Sequence, residues 1–288
     1  MQLVHKLPRF LCRHKILDFI CKYGWQDCVV TASYNSSART VIDLRDPEPR
    51  NVLIQKQFEP DFFQLANSFI GVRGTFFDLG ANVGFCSFGL IPKHPKFSYH
   101  LFEANPKLIP LLKKSIKLHP NQRFYLNHCC ISDKHGNTNF KPEINQSGQS
   151  HVCPTQEAGI EIPNLVLDDY CNQNHIHHVD FAKLDIEGHE LPALQGWQKN
   201  LALHRIKAVY IEIIPENQKR YGRETNAPLA YLESLGYSLF LCKDNDFGLF
   251  GEYPRKNRVN KDTPLLAKFR SSEYPYTFST DVLALAPS

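Results

Sequence analysis

The sequence predicts an α/β domain on a mostly parallel sheet with helices on both faces, preceded by a small N-terminal extension. Three observations carry this expectation. Short β-prone runs alternate with segments of helical spacing through the later part of the chain. A glycine-bearing loop, "DLGANVG", follows a run, "TFFDL", that is apolar on both of its faces and therefore reads as a buried parallel strand. A chain of 288 residues with 42% hydrophobic content buries one large core plus a modest appendage.

Taken in order, the chain opens with "MQLVHKLPRFLCRHKILDFICKYGW", where His5, Lys6, Arg9, Arg13 and Lys15 interrupt every apolar run. A secretory signal therefore lacks its continuous core, and no transmembrane span is expected. Leu11, Ile16, Phe19 and Ile20 share one helical face. That face either packs on the main domain or on a second copy of the chain, a route to a homo-oligomer, or rests on a membrane surface beside the basic flank. Strand-like "TASYN" and "TVIDL" follow, and Gly71 to Gly74 marks a border between an extension, residues 1–70, and a main domain, residues 71–288. Within that domain "TFFDL", "YHLFE", "RFYLNHC", "FAKLDI", "AVYIEII", "YSLFLC" and "DVLALA" read as strands. The segments "NPKLIPLLKKSIKLH", "ELPALQGWQKNLAL" and "APLAYLESLG" read as helices between them. The last two strands are joined by a long loop containing "GEYPRKNRVNKDTP" with no crossover helix, so they are expected as antiparallel neighbours at one sheet edge.

Composition narrows the function classes. The net charge of +4 is small, and the basic residues are dispersed among acidic ones, so nucleic acid is not an expected partner. Nine cysteines with no C-x-x-C pair read as reduced thiols, which points to the cytoplasm. His175, His177 and His178 match no common zinc spacing.

Chemistry is expected at the carboxyl ends of the strands, where an open α/β sheet binds its ligands. Gly80 and Gly84 let the backbone pass close beneath a ligand, and Asp78 sits where a carboxylate accepts from a cationic amine. Glu103 ends the next strand, roughly 20 residues on, where an acid takes both hydroxyls of a ribose. An acid before the loop, G-x-N-x-G in place of G-x-G-x-x-G, and the later acid together favour S-adenosylmethionine over a nicotinamide dinucleotide. The alternative is a tight strand-to-helix turn with Glu103 as a surface cap.

The blocks "FFDLGANVGF", "LFEANP", "CISDKHGNTNF", "LDDY", "KLDIEGHELPALQG" and "IEII" occur in the order seen in FkbM-type methyltransferases, and the chain resembles that family from about Phe58 to near Ala286. The resemblance implies a Rossmann-like class I methyltransferase fold with seven strands, the terminal one reversed, and O-methylation of a hydroxyl on a sugar, glycan or natural product. It also implies that Asp78, Gly80, Ala81, Asn82 and Gly84 hold the methionine part of the cofactor, that Glu103 holds the ribose, and that Ser132 and Asp133 receive the adenine. The latter two equally well cap the turn "SDKHGN".

"KLDIEGHE" is where catalysis is expected. Asp185 falls at a strand tip, with Glu187, Gly188, His189 and Glu190 starting the next helix. Asp185, Glu187 or His189 is the candidate base, and His189 has the unperturbed pKa best suited to neutral pH. Glu190 reads as a complement to the helix dipole. Asp185 with Glu212 approximates the carboxylates of magnesium-dependent O-methyltransferases, but no metal is expected, since convergence of several oxygens is not written in the sequence. The polar segment "PEINQSGQSHVCPTQEAGIEIPN" is expected as a loop over the site mouth, offering Ser147, Gln149, Ser150 and His151 to an acceptor. Arg255, Lys256, Arg258 and Lys261 form either a solvated face or an anion contact. The competing functions are a nicotinamide-dependent oxidoreductase and a non-catalytic cofactor-binding partner subunit.

Overall fold

Val, Thr, Tyr and Ile cluster in the first two β-prone runs, and the intervening Asn35 and Ser36 accept the positive φ (44° and 72°) that a tight turn needs. A computed structural model describes residues 21, 28–143, 146–154, 158–242, 266–274 and 279–287. The expected N-terminal helical face and the basic cluster Arg255 to Lys261 lie outside those residues. β1 (Val29–Tyr34) and β2 (Ala38–Asp43) pair as an antiparallel hairpin. Helices α1 (Pro47–Gln55) and α2 (Pro60–Phe69) follow, each opened by a proline that is preset for the first helical turn.

The main sheet contains β3 (Arg73–Leu79), β4 (Lys96–Glu103) and β5 (Arg123–His128). A second, smaller sheet holds β6 (Cys130–Ile131), β7 (Asn137–Lys141), β8 (His151–Val152) and β9 (Ile160–Leu165). The main sheet continues with β10 (Phe181–Leu184), β11 (Ala208–Ile213), β12 (Ser238–Cys242), β13 (Leu266–Phe269) and β14 (Thr280–Leu285). Its order is β13-β12-β14-β11-β10-β3-β4-β5. The five strands from β11 to β5 are parallel, and β14 inserts antiparallel between β11 and β12. This is the arrangement that the resemblance implies, with one reversed strand near the end of a parallel sheet. β13 adds an eighth strand beyond the seven expected, because its four residues cover the edge that β12 would otherwise expose.

Phe76 and Phe77 show why this strand is apolar throughout. Phe76 faces Phe62, Tyr99 and Phe181, while Phe77 stacks on Trp197 with ring centroids 5.3 Å apart and planes 1° from parallel. Successive side chains on a strand point to opposite faces, so each fills a different core. The first core includes the hairpin, α1, α2, α3 (Phe85–Leu90) and α4 (Ile109–Lys117). The second includes α5 (Leu167–Gln173), α6 (Glu190–Gln195), α7 (Gln198–Ala202) and α9 (Ala227–Ser234), with α8 (Pro215–Arg220) between β11 and α9. Polar bonds also fasten the hairpin: the Tyr34 hydroxyl donates to Phe85 O at 2.5 Å, and that of Thr40 to Val83 O at 2.6 Å. Among the described residues no helix is long and apolar enough to cross a membrane.

The segment expected as a loop over the site mouth is partly structured. β8 and β9 come from it, and they pair with β7 around a small core of Cys130, Phe140 and Ile162. The long polar run hid two short strands whose pairing partners lie some distance back in the chain.

Candidate active site

β3 and β10 are neighbours, while β4 lies on the far side of β3, so the strand order reverses between them and their carboxyl ends open a crevice. A cavity of about 320 Å³ occupies it. Asp78, Gly80, Ala81, Asn82, Glu103, Lys183, Asp185, Glu187 and His189 all line it, so the two sequence motifs face one another across a single space.

The glycine loop is shaped chiefly by the protein itself. Gly80, Asn82 and Gly84 have φ of 85°, 50° and 81°, the left-handed region. A Cβ on Gly80 would lie 1.9 Å from the carbonyl oxygen of Asp185, and one on Gly84 would lie 2.3 Å from the Phe88 ring. These glycines therefore also let the tips of β3 and β10 touch and let α3 pack. The loop's donors are also largely engaged: Gly80 and Ala81 N–H both donate to Phe102 O at 3.0 Å, and Gly84 N–H to Ala81 O at 2.7 Å. Gly84 is not among the cavity-lining residues.

Glu103 is buried, and its two carboxylate oxygens each accept one backbone N–H, from Asn82 and from Asn105, both at 2.7 Å. Burial pushes its pKa up to about 7. Asp78 accepts from Ser87 N–H at 3.2 Å and from the Ser87 hydroxyl at 2.5 Å, and burial raises it above its ordinary range. The wall beyond Glu103 is Cys129, Cys130, Ile131, Phe140 and Val152, contributed mainly by the second sheet. Ser132 and Asp133 are not among the lining residues. The Ser132 hydroxyl donates to Asp133 Oδ1 at 3.1 Å, and its carbonyl packs against Gly196.

At the other end Lys183 and Asp185 alternate along the β10 direction onto one face. The buried Lys183 ammonium lies 3.0 Å from Asp185 Oδ2 and 3.7 Å from Glu59 Oε1. Burial opposes its charge, but Cys86, Glu59, Asp185 and Asp78 together outweigh it and hold its pKa well above the usual lysine range. The charge on Asp185, and then burial, push neighbouring Glu212 far above the carboxylate range. Among the described residues no cluster of His, Cys, Asp and Glu is disposed to hold a metal ion.

The turn after β10 is strained and pinned. Glu187 has φ 56° and Gly188 φ 97°, and α6 starts only at Glu190. Glu190 is buried; its Oε1 accepts from Ile186 and Gly188 N–H at 3.3 and 3.0 Å, and its Oε2 from Gln218 at 2.5 Å. Its part is thus to anchor the turn, beyond the dipole complement expected of it. Glu187 Oε2 accepts from Asn217 Nδ2 at 2.5 Å. Burial, then the Asp185 charge, push Glu187 up to about 8. His189 goes the other way: burial and Arg223 lower it to about 4, which corrects the expectation that its pKa suits neutral pH. Both its ring nitrogens are buried without a hydrogen-bond partner among the described residues.

Several lining residues escaped the sequence. Lys183 carried a signal, a charge inside an apolar buried strand. Glu48, Phe58 and Glu59 carried none, because they reach the cavity from the extension by tertiary packing. Ser147, Gln149 and Ser150 line the cavity as expected of a mouth segment; His151 does not, and its Nδ1 faces Gln149 O at 2.9 Å.

Residues 78–239 match the methyltransferase FkbM domain. The 2-O-methyltransferase NoeI of Sinorhizobium fredii is 24% identical over 62% of this chain and 78% of its own length. The hexuronic acid methyltransferase AglP of Haloferax volcanii is 26% identical over 47% of this chain, which spans about half of that relative (54%). Among solved structures, precorrin-6y C5,15-methyltransferase from Geobacter metallireducens aligns over 80% of this chain and 89% of its own, at 9% identity and TM-score 0.43. A likeness of that size adds nothing to the strand order above.

Proposed function

We propose that this chain, which belongs to the methyltransferase FkbM domain family and is an S-adenosylmethionine-dependent methyltransferase, methylates a hydroxyl of a carbohydrate. Family membership sets aside the nicotinamide-dependent alternative and the non-catalytic one. The observation that carries the reading is the single cavity in which a buried, doubly anchored Glu103 faces an acid-rich strand tip at Asp185 and Glu187. The hydroxyl acceptor is supported by the polar lining at that end and by the two relatives, one named for 2-O-methylation and the other for a hexuronic acid.

The residues present fit the cofactor. Glu103 retains lone pairs on both oxygens for vicinal hydroxyls, Asp78 offers a carboxylate to an amine, and Cys129, Cys130, Ile131 and Phe140 make an apolar slot for a flat ring. Gly80, Ala81 and Asn82 complete the wall beside Asp78. S-adenosylmethionine, when bound, supplies an electrophilic methyl group on a sulfonium. The protein's part is to hold the hydroxyl in line and remove its proton. Glu187 Oε1, the oxygen that Asn217 leaves free, takes that proton, while Lys183 and Asp185 orient the strand tip. The extension up to residue 70 supplies the acceptor end through Glu48 and Glu59.

Two measurements test this. Transfer of a labelled methyl group from S-adenosylmethionine to a panel of sugars, with the product linkage mapped, should yield a methyl ether; label found only on nitrogen or carbon acceptors would sink the hydroxyl reading. Calorimetry with S-adenosylhomocysteine should show Glu103→Ala weakened at least about tenfold, since each charge-assisted bond contributes about 1.5–3 kcal/mol. Unchanged affinity would place the ribose elsewhere.

A further inference from the structure

A second concavity, of about 410 Å³, adjoins the first, and the two share Glu48, Phe58, Glu59 and Gln149. Its walls are rich in carboxamides: Asn51 and Gln55 from α1, Gln57 after it, and Gln146 and Gln149 from the turn opposite. The walls are tied together. Asp46 accepts from Glu48 N–H at 3.2 Å through one oxygen and from Ser147 N–H at 3.0 Å through the other, and the Ser147 hydroxyl donates to Asn82 Oδ1 at 3.0 Å. The groove is thereby linked to the glycine loop of the catalytic cavity.

Carboxamides both donate and accept, which suits hydroxyl groups that do the same. Among the described residues the lining holds Asp46, Glu48 and Glu59 and no Lys or Arg, and the nearby Lys183 ammonium is already engaged by Glu59 and Asp185, so a uronate or phosphate would face acids with no cation of the lining to pair with. Residues 46–59 also precede the stretch that matches the family domain, so most of the groove belongs to this chain's own extension.

We propose that this groove is an acceptor subsite for a neutral oligosaccharide, holding the sugar residues next to the one whose hydroxyl is methylated and disfavouring uronates and phosphosugars. The proposal rests on the carbohydrate reading above. It predicts that chain length, and not only sugar identity, controls the rate.

The full chain is assayed with S-adenosylmethionine against methyl glycosides of glucose, galactose, mannose and N-acetylglucosamine, linear neutral trisaccharides of each, and the same trisaccharides ending in glucuronate. At least one neutral trisaccharide should exceed its monosaccharide by about tenfold or more in kcat/KM, and its glucuronate analogue should lose that gain. The double variant Asn51→Ala/Gln55→Ala should erase the gain through KM, with S-adenosylhomocysteine affinity and monosaccharide turnover unchanged. Equal rates for both lengths, retention of the preference by the double variant, or a preference for the glucuronate series would overturn the groove while leaving carbohydrate methylation standing. Binding of S-adenosylhomocysteine with no methylation of any sugar would overturn the carbohydrate reading, and the groove with it.

Discussion

Glu187→Gln is expected to lower kcat by about 10²–10⁴-fold, the range of general-base assistance, while cofactor affinity and the fold are kept. The pH dependence makes the test specific. Because burial and Asp185 push Glu187 up to about 8, its carboxylate form grows as pH rises through that value, so the wild-type rate should climb from pH 6, reach half its maximum near pH 8 and level off about one pH unit higher. The residual rate of Glu187→Gln should be flat over the same window. His189, lowered to about 4, is already neutral throughout, and a base there would give a rate independent of pH above 5. A flat wild-type profile, with His189→Ala inactive and Glu187→Gln active, would transfer the base to His189.

Lys183→Met should cost about 3–5 kcal/mol of stability, the typical loss when one member of a buried ionic group is removed. For a chain of 288 residues that lowers Tm by roughly 5–8 °C. Methionine keeps the straight stem and volume but removes the charge that offsets Glu59, Asp185 and Asp78. The sign with pH follows from linkage. Without the ammonium, Glu59 and Asp78, which burial raises and Lys183 lowers, bind protons still more tightly when folded, so the native state holds the extra protons and stability falls as pH rises. The gap to wild type, read by thermal unfolding, should be smallest near pH 4.5 and widest near pH 8. A constant gap across that range would mean that Lys183 acts by packing alone.

Some of this molecule was legible before any coordinates. Buried parallel strands declare themselves by continuous apolar runs, as in "TFFDL" and "AVYIEII", and the break at "DLGANVG" declares a turn that only glycine tolerates. Glu103 and Asp185 were legible for the same local reason, each sitting at the end of a strand whose direction the alternation sets. Other features are properties of distance in space. Gly80 is required by the Asp185 carbonyl, which lies more than a hundred residues away in the chain. β8 and β9 are short and polar, and exist because β7 is there to pair with them. Lys183 is tolerated in a buried strand because acids from separate parts of the chain, Glu59 and Asp78 among them, gather with Asp185 around its ammonium. The opposite pKa shifts of Glu187 and His189, two residues apart, come from how burial treats a carboxylate and an imidazolium and from neighbours that folding selects. Sequence by itself determined the parallel strands of the main sheet, the glycine turn and the acids at the strand tips, because these depend on local backbone preference and periodicity. Tertiary structure alone decided the charge state of the site and the wall built by the extension, because desolvation and long-range contacts exist only once the chain has closed on itself.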